Sequence, residues 1–212
     1  MTDSLCAELH KIIRCGLRFY FRSGYSSVPE NGIYIMFENG ETAHNGDRIV
    51  RIGTHTGNKQ LPSRIYQHFE NENKNRSIFR KNIGRCFLNK NADPYLSIWN
   101  KDTTSRSNKE KYSTLVNVEY EKNIEKEISI HIQTNLSFSI IEIPTKDERL
   151  CLEKQLIGTI SFCEECKPSE NWLGNYSPEE KIRRSGLWQV QGLKANPINE
   201  KVLNSIKLRL IK

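Results

Sequence analysis

Two β-rich segments placed close together constrain this chain most, because each lifts one polar side chain out of apolar surroundings. Gly32-Ile33-Tyr34 opens the run Ile33 to Phe37, and Arg51-Ile52-Gly53 follows seventeen residues on. The first run is rich in β-branched and aromatic residues, and Asp47 to Thr54 alternates polar with apolar, so both read as strands. Between them Asn39-Gly40 and Asn45-Gly46 are turn signals. The expectation is a β-hairpin with a loose loop over Glu38 to Gly46.

Helical periodicity follows. Leu61 to Phe69 has Pro62 in its first turn and Leu61, Ile65 and Phe69 every four residues. Arg64 and His68, also four apart, share a second stripe of that helix, which in isolation would be a solvated face. A later helix, Lys146 to Phe162, carries Glu153 amid Leu150, Leu156, Ile157 and Ile160, so the carboxylate sits in the apolar stripe. A bare carboxylate there is costly and calls for a cation, either an arginine partner or a metal ion. Further helices are expected over Glu119 to Thr134, near Ile198 to Ile211, and at the N-terminus through Leu5, Leu9, Ile12, Ile13 and Leu17, with a buried strand over Leu136 to Ile143.

A tyrosine on strand one, a glycine-ended strand two, a helical Arg-x-x-x-His, a helical Glu and a later Asn resemble, in that order, the GIY-YIG nuclease family over residues 31–172. The resemblance implies an α/β fold, a small mainly antiparallel sheet flanked by helices, here with N- and C-terminal helical extensions. Position by position, Tyr34 matches the family's first tyrosine, Arg64 its phosphate-binding arginine, His68 its helix histidine and Glu153 its metal-binding glutamate. Asn171 matches the late asparagine, with Asn175 as the competing choice. The second tyrosine falls on Arg51, so this motif reads Arg-Ile-Gly. The implied activity is a Mg²⁺-dependent (or Mn²⁺-dependent) DNA endonuclease, closest in its compact build to type II restriction enzymes, with a homodimer on DNA compatible with it.

The chemistry suits these groups. Hydrolysis must deprotonate water, stabilise charge on the phosphoryl oxygens and neutralise the leaving oxygen. Tyrosine, with an ordinary pKa of about 10, is a poor base unless a nearby guanidinium and a divalent cation favour phenolate. In this scheme Tyr34 takes the proton, aided by Arg51; Arg64 forks onto the phosphate; Glu153 holds the metal; and His68 relays the proton or contacts phosphate. The competing class is a DNA-binding module with impaired catalysis, which the Arg51 departure makes conceivable.

Charge agrees with a polyanionic partner. The chain has 32 Lys and Arg against 25 Asp and Glu, a net charge of +7. From Asn73 through Ala92 there are basic residues and no acidic one. A helix there with Ile78, Phe79, Ile83 and Phe87 inward would turn Arg76, Arg80, Lys81 and Arg85 outward for DNA-backbone contacts, or simply toward solvent.

Three units are expected: an N-terminal amphipathic extension over 1–29, a nuclease core over 30–175 with an inserted loop at about 89–118, and a C-terminal extension over 176–212 packed on the core. With no apolar run of membrane-spanning length and no secretory segment, a cytoplasmic protein is expected. Of the six cysteines, only Cys163 and Cys166 have ligand-like spacing; without a second close pair they read mainly as buried thiols, with zinc binding or thiol-redox chemistry as alternatives.

Overall fold

The structure is a computed structural model that describes residues 2–21 and 27–212. Its elements run α1 (Thr2–Arg14), β1 (Phe19–Tyr20), β2 (Gly32–Ala43), β3 (Gly46–Gly53), α2 (Leu61–Phe69), α3 (Ile78–Lys90), α4 (Leu96–Trp99), α5 (Arg106–Tyr112), α6 (Val118–Asn135), β4 (Leu136–Glu142), α7 (Lys146–Ser161), α8 (Glu180–Ser185) and α9 (Glu200–Arg209). The strands form one antiparallel sheet in the order β1-β4-β2-β3. Alternation along β2 divides the core in two, since successive side chains point to opposite faces. Ile33, Ile35 and Phe37 join α1, α7 and α9 on one side, whereas Tyr34 and Met36 join α2, α3 and α6 on the other. The sheet is therefore covered on both faces. None of the described helices is long and apolar enough to cross a membrane.

The expected loose loop is absent. Strand β2 continues to Ala43, and the turn is the two-residue pair His44 and Asn45, with φ of 48° and 60°. Both central residues being left-handed matches the tight turn that suits the twist of a hairpin. Asn39-Gly40 instead lies in an irregular stretch of the strand, where pairing skips from Phe37 to Thr42.

That irregular stretch holds down the chain's end. Buried Glu38 accepts the indole N–H groups of Trp172 (2.9 Å) and Trp188 (2.8 Å) and faces His131 at 3.1 Å. Burial pushes the Glu38 carboxyl up, but the bonds from His131, Trp188 and Trp172 outweigh it, and the group lies below its ordinary range. Glu41 pairs with buried Arg48 and accepts from the Ser169 backbone N–H, while Arg48 donates to Gly186 O. The C-terminal segment is thus fixed to β2 and β3 by satisfied buried polar groups. Helix α1 likewise buries Cys6, Leu9, Ile12 and Ile13 in the core beside α7 and α9; Leu17, past its end, is exposed.

The stretch expected as an inserted loop contains α4 and α5 and brings Trp99 into the core. Its indole lies where a Cβ on Gly84 would stand, so α3 carries glycine at the crossing.

Candidate active site

Tyr34 projects from β2 toward α2. Directly across the hairpin is Gly53, and a Cβ there would collide with the phenol oxygen. The glycine ending the Arg-Ile-Gly motif is therefore the space over which the phenol lies. The phenol oxygen is 2.8 Å from His68 Nε2, and His68 Nδ1 is 2.7 Å from Ser77 Oγ. Ser77 also caps α3, accepting the Arg80 backbone N–H at 3.2 Å. Tyr34 and His68 are both completely buried.

Burial, then the charges of Arg51, Arg64 and Arg80, push His68 well below its ordinary pKa. It is neutral near pH 7 and can donate from one nitrogen while accepting at the other. In the tautomer whose Nδ1–H donates to Ser77 Oγ, Nε2 accepts the phenol proton. The helix spacing put Arg64 and His68 on one stripe; in the structure that stripe turns inward, His68 fully and Arg64 halfway.

Beside this pair lies a cleft of about 420 Å³, lined among others by Arg51, Arg64, Asn82, Glu153, Lys154 and Gln189. Arg64 also lines a neighbouring recess of about 320 Å³. Arg51 comes from β3, opposite Met36, and is 6 % exposed. Its Nη1 donates to Trp188 O at 2.5 Å, its guanidinium lies 4.8 Å from the Phe79 ring centre, and its Nε has no hydrogen-bond partner among the described residues. A buried guanidinium left without a carboxylate is costly. Arg64 Nη1 reaches Gln67 Oε1 and Arg76 O, both at 3.3 Å.

Glu153 enters from α7. One oxygen accepts the Thr54 N–H at 3.1 Å, just past the end of β3. Burial raises its pKa, while Arg51, the Thr54 bond, Arg64 and Lys154 act to lower it. Among the described residues it makes no ion pair within 4 Å. Three cations and one carboxylate thus meet in the cleft without neutralising one another. Chemically, such an arrangement can hold an anion on the guanidiniums and a cation on the carboxylate.

Other expected positions lie elsewhere. Asn171 is exposed and does not line the cleft, whose amide side chains are those of Asn82, Gln189 and Gln191. Arg80 corrects the expectation of an outward basic face. It is fully buried, with Nε on Glu125 Oε2 at 2.8 Å and Nη2 on Ser129 Oγ at 2.8 Å, because Glu125 of α6 supplies a countercharge inside the core. Lys81 is half-buried and donates to Asn100 O, and Arg85 is held by Asn100, Asn82 and Glu179. Arg76 is exposed. Ile78, expected inward, is 47 % exposed at the cleft.

Sequence reasoning missed Gln189 and the carbonyl of Trp188. They reach the cleft because the segment after α8 lies along the free edge of β3, where the Trp188 N–H donates to Val50 O at 2.8 Å and Gln189 Oε1 accepts from Ile52 N–H at 2.9 Å. The nearest signal was Gly186-Leu187-Trp188, a bulky residue after a helix-ending glycine.

No curated protein and no solved structure matches the chain. A family model described as GIY-YIG domain matches residues 3–211, almost the whole length, so the chain belongs to the GIY-YIG nuclease family.

Proposed function

We propose that this protein is a Mg²⁺-dependent endonuclease, able also to use Mn²⁺, that hydrolyses phosphodiester bonds in DNA and acts as a restriction enzyme. The observation that carries this is the cleft in which Arg51, Arg64 and Glu153 stand unpaired with one another beside the buried Tyr34–His68 pair.

The residues fit a divalent ion. Glu153 has one oxygen occupied by the Thr54 N–H and a carboxyl whose charged form burial disfavours, so a cation there would relieve it. A single carboxylate completed by phosphate and water oxygens is a common setting for Mg²⁺. When bound, the ion supplies Lewis-acid stabilisation of charge on the phosphate and leaving oxygens.

The chain's own groups do the rest. Arg64 forks onto the scissile phosphate, and Arg51 stabilises the charge that develops on it through the N–H groups it does not use within the protein. Tyr34 accepts the proton of the attacking water as its own hydroxyl proton moves to His68 Nε2, and Ser77 keeps the imidazole oriented. Exposed Arg76 and Lys154 contact flanking phosphates, so binding weakens as salt rises. Gln189 and Gln191, which line the same cleft, offer amides suited to base edges.

The test is incubation with supercoiled plasmid and phage DNA in Mg²⁺ or in EDTA. Discrete fragments formed only with Mg²⁺ are expected. Smearing would contradict the restriction reading, and binding without cutting would favour a module that keeps the fold but lacks catalysis.

A further inference from the structure

At the far end of α7 from the cleft, four side chains from three distant parts of the sequence meet. Cys6 comes from α1, His44 from the turn between β2 and β3, and Cys163 and Cys166 from the tight turn that follows α7. Their ligand atoms all lie within 4.8 Å of one another. Cys6 Sγ is 3.5 Å from Cys166 Sγ, and His44 Nε2 is 3.3 Å from Cys163 Sγ and 3.6 Å from Cys166 Sγ. For a Zn²⁺ ion with Zn–S of about 2.3 Å and Zn–N of about 2.0 Å, a tetrahedron has edges of roughly 3.5–3.8 Å. The 3.3–3.6 Å separations are close to those edges, and the remaining pairs lie within 4.8 Å. They are far too long for a disulfide, whose sulfurs lie about 2.05 Å apart.

We propose that Cys6, His44, Cys163 and Cys166 form a closed structural zinc site. Three soft sulfur ligands and one imidazole match the Cys₃His class, and the cysteines are at most 2 % exposed, leaving no open position for substrate.

The surroundings are built for that role. His44 sits in a left-handed turn conformation that directs its ring to the thiols, and its Nδ1 lies 3.2 Å from Glu165 Oε2. A carboxylate on the remote nitrogen fixes the tautomer and leaves Nε2 as the metal ligand. Cys166 N–H donates to Cys163 O at 3.3 Å, closing the turn that brings both sulfurs to one side. Nearby His10 is already engaged: Nδ1 meets Cys6 O at 2.9 Å and Nε2 accepts the Ile49 N–H at 3.2 Å. The remaining cysteines, Cys15, Cys86 and Cys151, stand apart from the cluster.

The ion would join the N-terminal helix, the hairpin tip and the end of α7. Glu153 lies eight residues before Ser161, the end of α7, about 12 Å along the helix at 1.5 Å per residue, and neither the cysteines nor His44 line the cleft, so the site is separate from it. It stands independently of the nuclease reading.

The experiment is elemental analysis of the protein purified without chelator or added metal, together with Co²⁺ reconstitution of the same chain. One zinc per chain is expected, with intense visible d–d bands of tetrahedral thiolate-bound Co²⁺ on exchange. Cys166→Ser and His44→Ala should lose zinc, whereas Cys15→Ser and Cys151→Ser should retain it. If the variants fail to fold, the unaltered protein still decides through its zinc content and cobalt spectrum. Zinc-free folded protein with titratable thiols, a Cys6–Cys166 disulfide, an iron–sulfur chromophore, or zinc retained in Cys166→Ser would overturn the proposal.

Discussion

Tyr34→Phe is expected to lower the single-turnover rate of DNA cleavage by about 10²- to 10⁴-fold, the usual worth of a positioned acid or base, while DNA affinity stays close to that of the unaltered protein. The substitution removes one oxygen. The ring keeps its place over Gly53, and Arg51, Arg64 and Glu153 keep theirs, so binding of the phosphate backbone loses nothing directly. What the proposed mechanism loses is its proton route from the phenol to His68 Nε2, 2.8 Å away. His68 is not expected to take over, because its two ring nitrogens are directed to the phenol and to Ser77 Oγ. Rapid-quench cleavage alongside a filter-binding titration separates the two effects. A rate within a few-fold of the unaltered protein would remove Tyr34 from the chemistry.

Arg80→Ala is expected to destabilise the fold by about 3–5 kcal/mol, the typical consequence of removing one member of a buried ion pair. For a chain of this size that corresponds to a fall in Tm of roughly 6–20 °C. Glu125 would be left in the core with no cation, and Ser129 Oγ and the carbonyls of Glu125 and His68 would lose their donor. Burial already pushes the Glu125 carboxyl above its ordinary pKa, with Arg80 opposing it. Without Arg80 the folded pKa rises further above the unfolded one. The penalty is then fully present above the raised folded value and shrinks as pH falls through it, because the protonated carboxyl needs no cation. Thermal unfolding followed at several pH values tests this. An unchanged Tm with weakened DNA binding would mean that Arg80 faces the nucleic acid instead.

Arg80 also shows what a sequence can and cannot display. Helix α3 was legible from Ile78, Phe79, Ile83 and Phe87, yet its orientation was not, since the residue that draws Arg80 inward lies 45 positions away. The same holds at Glu38 and Glu41. Beside Asn39-Gly40 they look like a solvated turn, and become buried strand residues only because Trp172, Trp188 and Ser169 bond to them from the far end of the chain. Local signals fared better. Pro62 and the four-residue apolar repeat set the bounds of α2, and the stripe around Glu153 located α7 and the half-buried carboxylate on it. Arg51, Arg64 and Glu153 line one cleft because the hairpin, α2 and α7 adjoin, and Tyr34 of the same hairpin meets His68 of α2. Asn171 does not join them, and the amides of Asn82 and Gln189 that do had no local signal to mark them. Cys6 and His44 were equally invisible as partners of Cys163 and Cys166, being contributed by a helix and a turn more than a hundred residues earlier.

The proposed role of the cleft rests finally on Glu153, the carboxylate that accepts the Thr54 N–H and feels the charges of Arg51 and Arg64 without pairing with either. The most direct measurement is cleavage of supercoiled plasmid by Glu153→Gln across a Mg²⁺ titration, with DNA binding followed in parallel. The amide preserves size and can still accept the Thr54 bond, but it cannot supply the negative charge that a divalent cation needs. Loss of cleavage at every Mg²⁺ concentration with DNA binding retained is predicted; cleavage with an unchanged rate and unchanged Mg²⁺ dependence would contradict the account.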